Sequence, residues 1–397
     1  MRTMLINHAD RIRNRGQTDS MLDLMKLFGM FCVVYAHTFL HGLGLMGRGV
    51  RSSVYVIQLF IFCSGYSYRR SNDDLSPAFL KKLARNLLLP FFLWNLIYGA
   101  LHEVLLLTGI IQFGNHLSLY TLLIQPLTNN SQFMLNQPSW FLLSLFEVTV
   151  ITWLIRGVLQ KLGRLRMSSE LILLGAMLIL CAVAIQAAGD GRPHYGWGGA
   201  AVRTAVLLPY YQLGILWREY GDRIGRMLRG ILVGVCAAIA LAPVLLDRDT
   251  LGTKMLYCYF EGNSILLTLS ALAAVMLICL ICQACAKLPR IRILSYPSRC
   301  TKFIMLHHLF WLWLFQQGLY LIHRRIPLPG YSVSLAESSI WYRYSFGTRW
   351  VRFCMLCAAF GLPILLHRAF EGILLAAAKR VRPPSGEALS SSSASVY

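Results

Sequence analysis

A chain of 397 residues with 56% hydrophobic and only 14% charged residues, and a mean hydropathy of +0.54, is expected to be a polytopic membrane protein. Its formal net charge of +21 invites nucleic acid as a partner, but the basic residues lie mostly between apolar runs, where membrane topology accounts for them, so nucleic acid is excluded. Eleven cysteines show neither a secreted spacing nor a paired CxxC ligand set; Cys32, Cys63, Cys181, Cys236, Cys354 and Cys357 fall in apolar runs, as thiols packed like small hydrophobes do.

The chain opens on a basic head, Arg2, Arg11, Arg13 and Arg15. It looks like the start of a signal peptide, but the apolar run behind it is interrupted by Lys26 and lacks a small-residue cleavage pattern, so a retained helix is expected. Apolar runs follow at roughly 21–41, 53–68, 86–107, 139–155, 168–188, 200–217, 229–246, 263–285, 303–322 and 350–370, each near the length a span needs. They predict an all-α polytopic protein of about ten transmembrane helices, with both termini on one side. About 27 Lys and Arg fall in loops on that side against about 11 on the other, which makes it cytoplasmic. Beyond Ala378 the chain is basic, then Pro-Pro, then serine-rich, so one membrane domain over 1–378 and a disordered cytoplasmic tail over 379–397 are expected. The longest outer loops, about 108–138 and 323–348, carry Trp, Tyr, Asn and Gln suited either to an acceptor site or to an interfacial belt.

The first run holds the most unusual pattern. From Lys26 to His37 is about three helical turns, so the two side chains share one stripe about 16 Å apart. Asp19 falls on that stripe if the helix reaches back so far, and Asp23 lies one turn below Lys26. Facing lipid, such a stripe is costly, so it is expected to face the protein interior or a wet cavity. Snorkelling of Lys26 to the headgroups and an interfacial role for His37 are the structural alternatives. Glu147, roughly 10 Å into the fourth run, needs a cation or a proton, with Lys26 or His37 as candidate partners; bracing the bundle is its structural alternative. His307 and His308 point about 100° apart, so at most one shares a site with the first helix. His37 and His41 have i, i+4 spacing, but they lack a third ligand and Gly42 and Gly44 end the helix, so no metal site is expected. There is no GxSxG, P-loop or dinucleotide fingerprint.

Several of these stretches resemble one family. Asp23-Leu24-Met25-Lys26, the apolar run and Ala36-His37 resemble the first helix of the acyltransferase 3 family of integral-membrane acyltransferases. There the usual cation is arginine; lysine keeps the charge and loses the planar fork. Gln58 to Tyr66, ending in Ser64-Gly65-Tyr66, is similar to the family's aromatic run, where the glycine lets helices or a ligand approach closely. Phe79-Leu80-Lys81-Lys82-Leu83-Ala84-Arg85 with Leu89-Pro90 resembles its basic cluster and helix-breaking proline, which implies that Pro90 frees a carbonyl and bends the third helix to open a cytoplasmic entry. Ser139-Trp140-Phe141-Leu142 opens the fourth helix in the family's manner, and Ser295-Tyr296 with Lys302 to His308 is similar to its serine, aliphatic run and histidine.

The resemblance implies an O-acyltransferase of the bacterial inner membrane. It would move an acyl group, most simply acetyl from acetyl-coenzyme A, to a hydroxyl of a lipid-linked or exported glycan. Lys26, Lys82 and Arg85 would then meet the donor's phosphates, the last two competing with a pure topology role. A sugar hydroxyl needs help to lose its proton, so His37 is the candidate general base or acyl carrier, with Glu147 as a second catalytic candidate. The rival function is a transporter or flippase for a polyprenyl-linked sugar, with the polar stripe as conduit. A glycan polymerase would call for clustered arginines in the outer loops, which carry few.

Overall fold

A computed structural model describes residues 20–39, 52–128, 133–189, 191–245, 251–288 and 294–381. Asp19, His41, Gly42, Gly44, the basic head and most of the expected tail lie outside them. Ten helices of 15 residues or more are found among the described residues, one on each apolar run: α1 Ser20–Phe39, α2 Ser52–Tyr66, α3 Pro77–Leu107, α4 Trp140–Lys161, α5 Met167–Ala188, α6 Gly196–Tyr220, α7 Arg226–Leu245, α8 Ser264–Cys285, α9 Thr301–His323 and α10 Arg349–Val381. Apolar runs become helices because a backbone without water must satisfy its own hydrogen bonds. Among the described residues six helices are long and apolar enough to cross a membrane: Ser20–Phe39, Pro77–Leu107, Met134–Lys161, Met167–Ala188, Ser264–Cys285 and Arg349–Ala377. Of the others, α2 is apolar but short, and α6 carries the buried polar groups Arg203 and Gln212. α10 runs on through Val381, past the boundary expected at residue 378.

Start signals are local. Ser76 caps α3, its Oγ accepting from the Ala78 amide at 3.3 Å ahead of Pro77 in the first turn, and Asn263 caps α8 by accepting from Ile265 and Leu266. Pro90 lies inside α3, which continues through it.

The tightest crossing is between α2 and α6. A Cβ on Gly65 would lie 2.0 Å from the Tyr211 carbonyl oxygen, and one on Gly214 would lie 2.2 Å from that of Phe62. The two backbones touch through reciprocal glycines, as the Ser-Gly-Tyr resemblance implied for Gly65. Without a hydrophobic drive between helices in lipid, such close contact is the main source of cohesion there.

One end of the bundle is fastened by buried charge. Arg156 of α4 is fully buried and donates to Asp73 through Nε and Nη2, both at 3.1 Å, and to Glu170 of α5 through Nη1 at 3.0 Å. Arg70 extends the network from Glu170, at 2.7 Å, to Glu219 of α6. The two arginines join the connection after α2 to three other helices. A short antiparallel hairpin, Gly252–Lys254 with Tyr259–Glu261, lies at the opposite end, where Thr253 Oγ1 donates to the Ser53 carbonyl at 2.6 Å.

The long segment between α3 and α4 packs against the bundle. Asn95 Nδ2 donates to the Leu122 carbonyl at 3.2 Å, although Asn95 lies roughly 18 Å back from the end of α3 at a rise of 1.5 Å per residue. This segment therefore folds back along α3. Its return stretch, Met134–Ser139, is packed inside the bundle with Leu135 and Asn136 fully buried.

Candidate active site

A cavity of about 820 Å³ runs along α1, and Asp23, Lys26, Met30, Val33 and His37 all face it. Their spacing of three, four and seven residues is the helical stripe expected from sequence, now turned inward. The two ends of the cavity differ in chemistry. At the end where α1 and α9 begin, the wall holds Lys26, Arg299 and Lys302, with Asp23 and Ser298. Ser298 donates to Asp23 Oδ1 at 2.7 Å, and Lys302 donates to the Asn86 carbonyl of α3 at 2.8 Å. At the other end stand His37, Trp341, Gln137, Tyr257 and Lys254. The long segments before α4 and before α10 thus both contribute to the wall, through Gln137 and Trp341.

His37 is held between two rings. Trp341 stacks on it with centroids 5.3 Å apart and planes at 25°, while His308 of α9 lies 5.2 Å away at 33°. From the connection before α10, Arg343 Nε donates to the His37 carbonyl at 3.2 Å, capping the last turn of α1. Arg343 is itself buried, which lowers its pKa to about 10, so it is still charged at neutral pH.

The two adjacent histidines of α9 diverge, as a step of 100° requires. His308 Nδ1 lies 3.0 Å from the carbonyls of both Ile304 and Met305, so that nitrogen carries the proton and Nε2 is left as an acceptor. That Nε2 is buried without a hydrogen-bond partner among the described residues. His307 turns instead to Tyr98 of α3, with Nδ1 2.7 Å from the hydroxyl, inside an aromatic cage of Trp94 and Phe303.

Other expected residues are placed differently. Glu147 does not line the cavity; it accepts from Thr204 Oγ1 of α6 at 3.1 Å and feels the charge of the neighbouring Arg203. Its partners come from α6 rather than from Lys26 or His37, because α4 turns this face toward α6. Arg203 in turn donates to Ser144 at 2.7 Å and lies over the Trp140 ring at 5.5 Å. Lys82 and Arg85 are exposed on α3 outside the cavity wall, although the next residues reach it: Asn86 holds Lys302 and Leu87 lines the cavity. Of the serine and tyrosine matched in sequence, Tyr296 turns to His367 and Glu371 of α10, and Ser298 is the residue that meets Asp23. Sequence reasoning missed Arg299, Lys254, Gln137, Tyr257 and Trp341. The signal for Gln137 and Trp341 was their place in the two long loops whose Gln and Trp suit an acceptor site or an interfacial belt.

Long apolar helices around a mostly apolar cavity, with three cations at one end and His37 and Lys254 at the other, define a membrane protein with an internal site. A family model described as an acyltransferase domain, that of the acyltransferase 3 family, matches residues 19–368, and the chain belongs to that family. It is a membrane acyltransferase. No curated protein and no solved structure matches it.

Proposed function

We propose that this acyltransferase takes acetyl from acetyl-coenzyme A at the cytoplasmic face of a bacterial inner membrane and places it on a hydroxyl of a lipid-linked or exported glycan. The observation that carries the proposal is the polarity of one cavity: three cations at the end where α1 and α9 begin, and His37, backed by His308, at the other. Phosphates of the donor suit the cationic end, and the thioester then extends along the α1 stripe toward His37. Lys26, Arg299 and Lys302 meet the phosphates, with Lys82 and Arg85 guiding the donor at the exposed rim.

His37 acts as general base. It takes the hydroxyl proton as the sugar oxygen attacks the thioester carbonyl; a carbon–oxygen bond forms, the carbon–sulfur bond breaks, and the proton passes to the departing thiolate. The alternative of a transient acyl-imidazole on His37 uses the same geometry with two transfers in place of one. Glu147 is assigned to bracing Arg203 rather than to proton transfer, since it lies away from the cavity. A transporter role is set aside because the family is one of acyltransferases.

Ten crossings with both termini cytoplasmic belong to the same proposal, supported by the basic asymmetry and by alternate helix ends meeting at the Arg156 network. The deciding experiment is reconstitution of purified protein in vesicles with radiolabelled acetyl-coenzyme A and glycan acceptors. Label moving to the glycan, and not when His37 is replaced, is expected. Label transfer that survives loss of His37 would overturn its role, and absence of any glycan product would overturn the acceptor class.

A further inference from the structure

The wall of the cavity carries four cations against one carboxylate, and the fourth cation, Lys254, stands apart from the others. It ends the strand Gly252–Lys254, which Thr253 ties to Ser53 at the start of α2, so it lies at the His37 end rather than at the donor end. Among the described residues no ion pair includes Lys254. Its ammonium lies 4.9 Å over the Tyr259 ring, a cation–π contact that steadies the side chain without neutralising it. Beside it, the Tyr257 hydroxyl accepts from Gln137 Nε2 at 3.1 Å, which leaves the phenolic hydrogen and the Gln137 carbonyl for a ligand. Trp341 completes the wall next to His37.

A ligand reaching this end therefore meets a cation, a hydroxyl donor, an amide acceptor and an indole. Sugar rings match three of these through hydroxyls and an apolar face. The ammonium, which is exposed at the cavity wall, offers more: an anionic oxygen on the ligand would meet it in a charge-assisted hydrogen bond, stronger than one to a neutral hydroxyl. The donor does not supply one here, since its phosphates suit the end about 16 Å away along α1.

We propose that the His37 end of the cavity is an acceptor subsite for an anionic glycan, which rests on the acyl-transfer role proposed above. Lys254 holds the acidic group, Gln137 and Tyr257 orient the ring, and the hydroxyl to be acylated faces His37. The shared chemistry is an anionic oxygen group, either a carboxylate on the sugar or a phosphate through which the sugar is linked to lipid.

The test is direct binding to the full-length protein in vesicles without donor, using three probes on one sugar core: a neutral oligosaccharide, its uronate-containing counterpart, and its glycosyl phosphate. Wild type is expected to bind one acidic probe at least about ten-fold more tightly than the neutral one, the size of a charge-assisted contact. Lys254→Met should remove that preference and Lys254→Arg should restore most of it, at unchanged melting temperature. Which acidic probe responds distinguishes carboxylate from phosphate. Equal binding of all three probes by wild type, or a preference that survives Lys254→Met, overturns the proposal. Should the acidic preference depend on Lys254 while no acyl product forms with donor added, the acyl-transfer role fails and the subsite stands.

Discussion

His37 and His308 face each other across the α1–α9 contact with ring centroids 5.2 Å apart, and only His308 has its tautomer fixed, by the carbonyls of Ile304 and Met305. One imidazole is thus exposed to the cavity and the other is locked behind it, its Nε2 unpartnered among the described residues. The two are expected to differ in what they do for the reaction.

His37→Ala and His37→Gln should both lose about 10²- to 10⁴-fold in transfer rate, the usual cost of a missing general base. Glutamine keeps a hydrogen bond but takes no proton at neutral pH, so it should do no better than alanine. Abundance in membranes should stay near normal, because His37 is only half-buried at the end of α1. Transfer above about a tenth of wild type at matched membrane levels would remove His37 as the base.

The neighbouring histidines should separate in kinetics. His308→Ala is expected to lower kcat with little change in donor KM, since it backs His37 without lining the cavity. His307→Phe should instead cost stability, about 1–3 kcal/mol, because it strands the buried Tyr98 hydroxyl. Melting in detergent and steady-state assays on the same preparations check both. A rate loss in His307→Phe larger than in His308→Ala would reverse the assignment.

Donor binding should follow the cavity wall more than the exposed cluster. Arg299→Ala is expected to raise the KM for acyl-coenzyme A roughly ten-fold or more, as loss of a charge-assisted contact does, with Arg85→Ala raising it less. Lys26→Arg should retain activity because it keeps the charge. Unchanged donor KM in Arg299→Ala would place the phosphates elsewhere.

Removing Arg156 should be among the most destabilising single changes in the chain. Buried Asp73 would lose its cation and buried Glu170 would keep only Arg70, at a cost of about 3–5 kcal/mol. Thermal unfolding of Arg156→Ala in detergent measures it. A shift no larger than that of an exposed lysine variant would show that water reaches the network.

Gly65→Ala tests the α2–α6 crossing. Its Cβ would meet the Tyr211 carbonyl, backbone that cannot step aside, so the helices must separate, costing about 1–3 kcal/mol or more. Gly175→Ala, on α5 where nothing lies within 4 Å, is the control and should be neutral.

The sequence alone determined the helices and the inward stripe. Ten apolar runs became ten helices because an unsolvated backbone has few other options, and Lys26 and His37 fell on one face because helical geometry is fixed at about 100° per residue. The divergence of His307 and His308 followed from the same number. Which of them meets α1 did not, because that depends on how α9 is rotated against its neighbours. Glu147 found Thr204 and Arg203 on α6 for the same reason: the periodicity of α4 gives its faces, and only packing decides what each face meets. Arg156 and Arg70 looked like topology signals because charge near a helix end is indistinguishable, in one dimension, from a buried ion network. Lys254, Gln137, Tyr257 and Trp341 carry no periodic pattern at all; they lie in connections, and long-range contacts such as Thr253 to Ser53 and Arg343 to the His37 carbonyl bring them to the cavity.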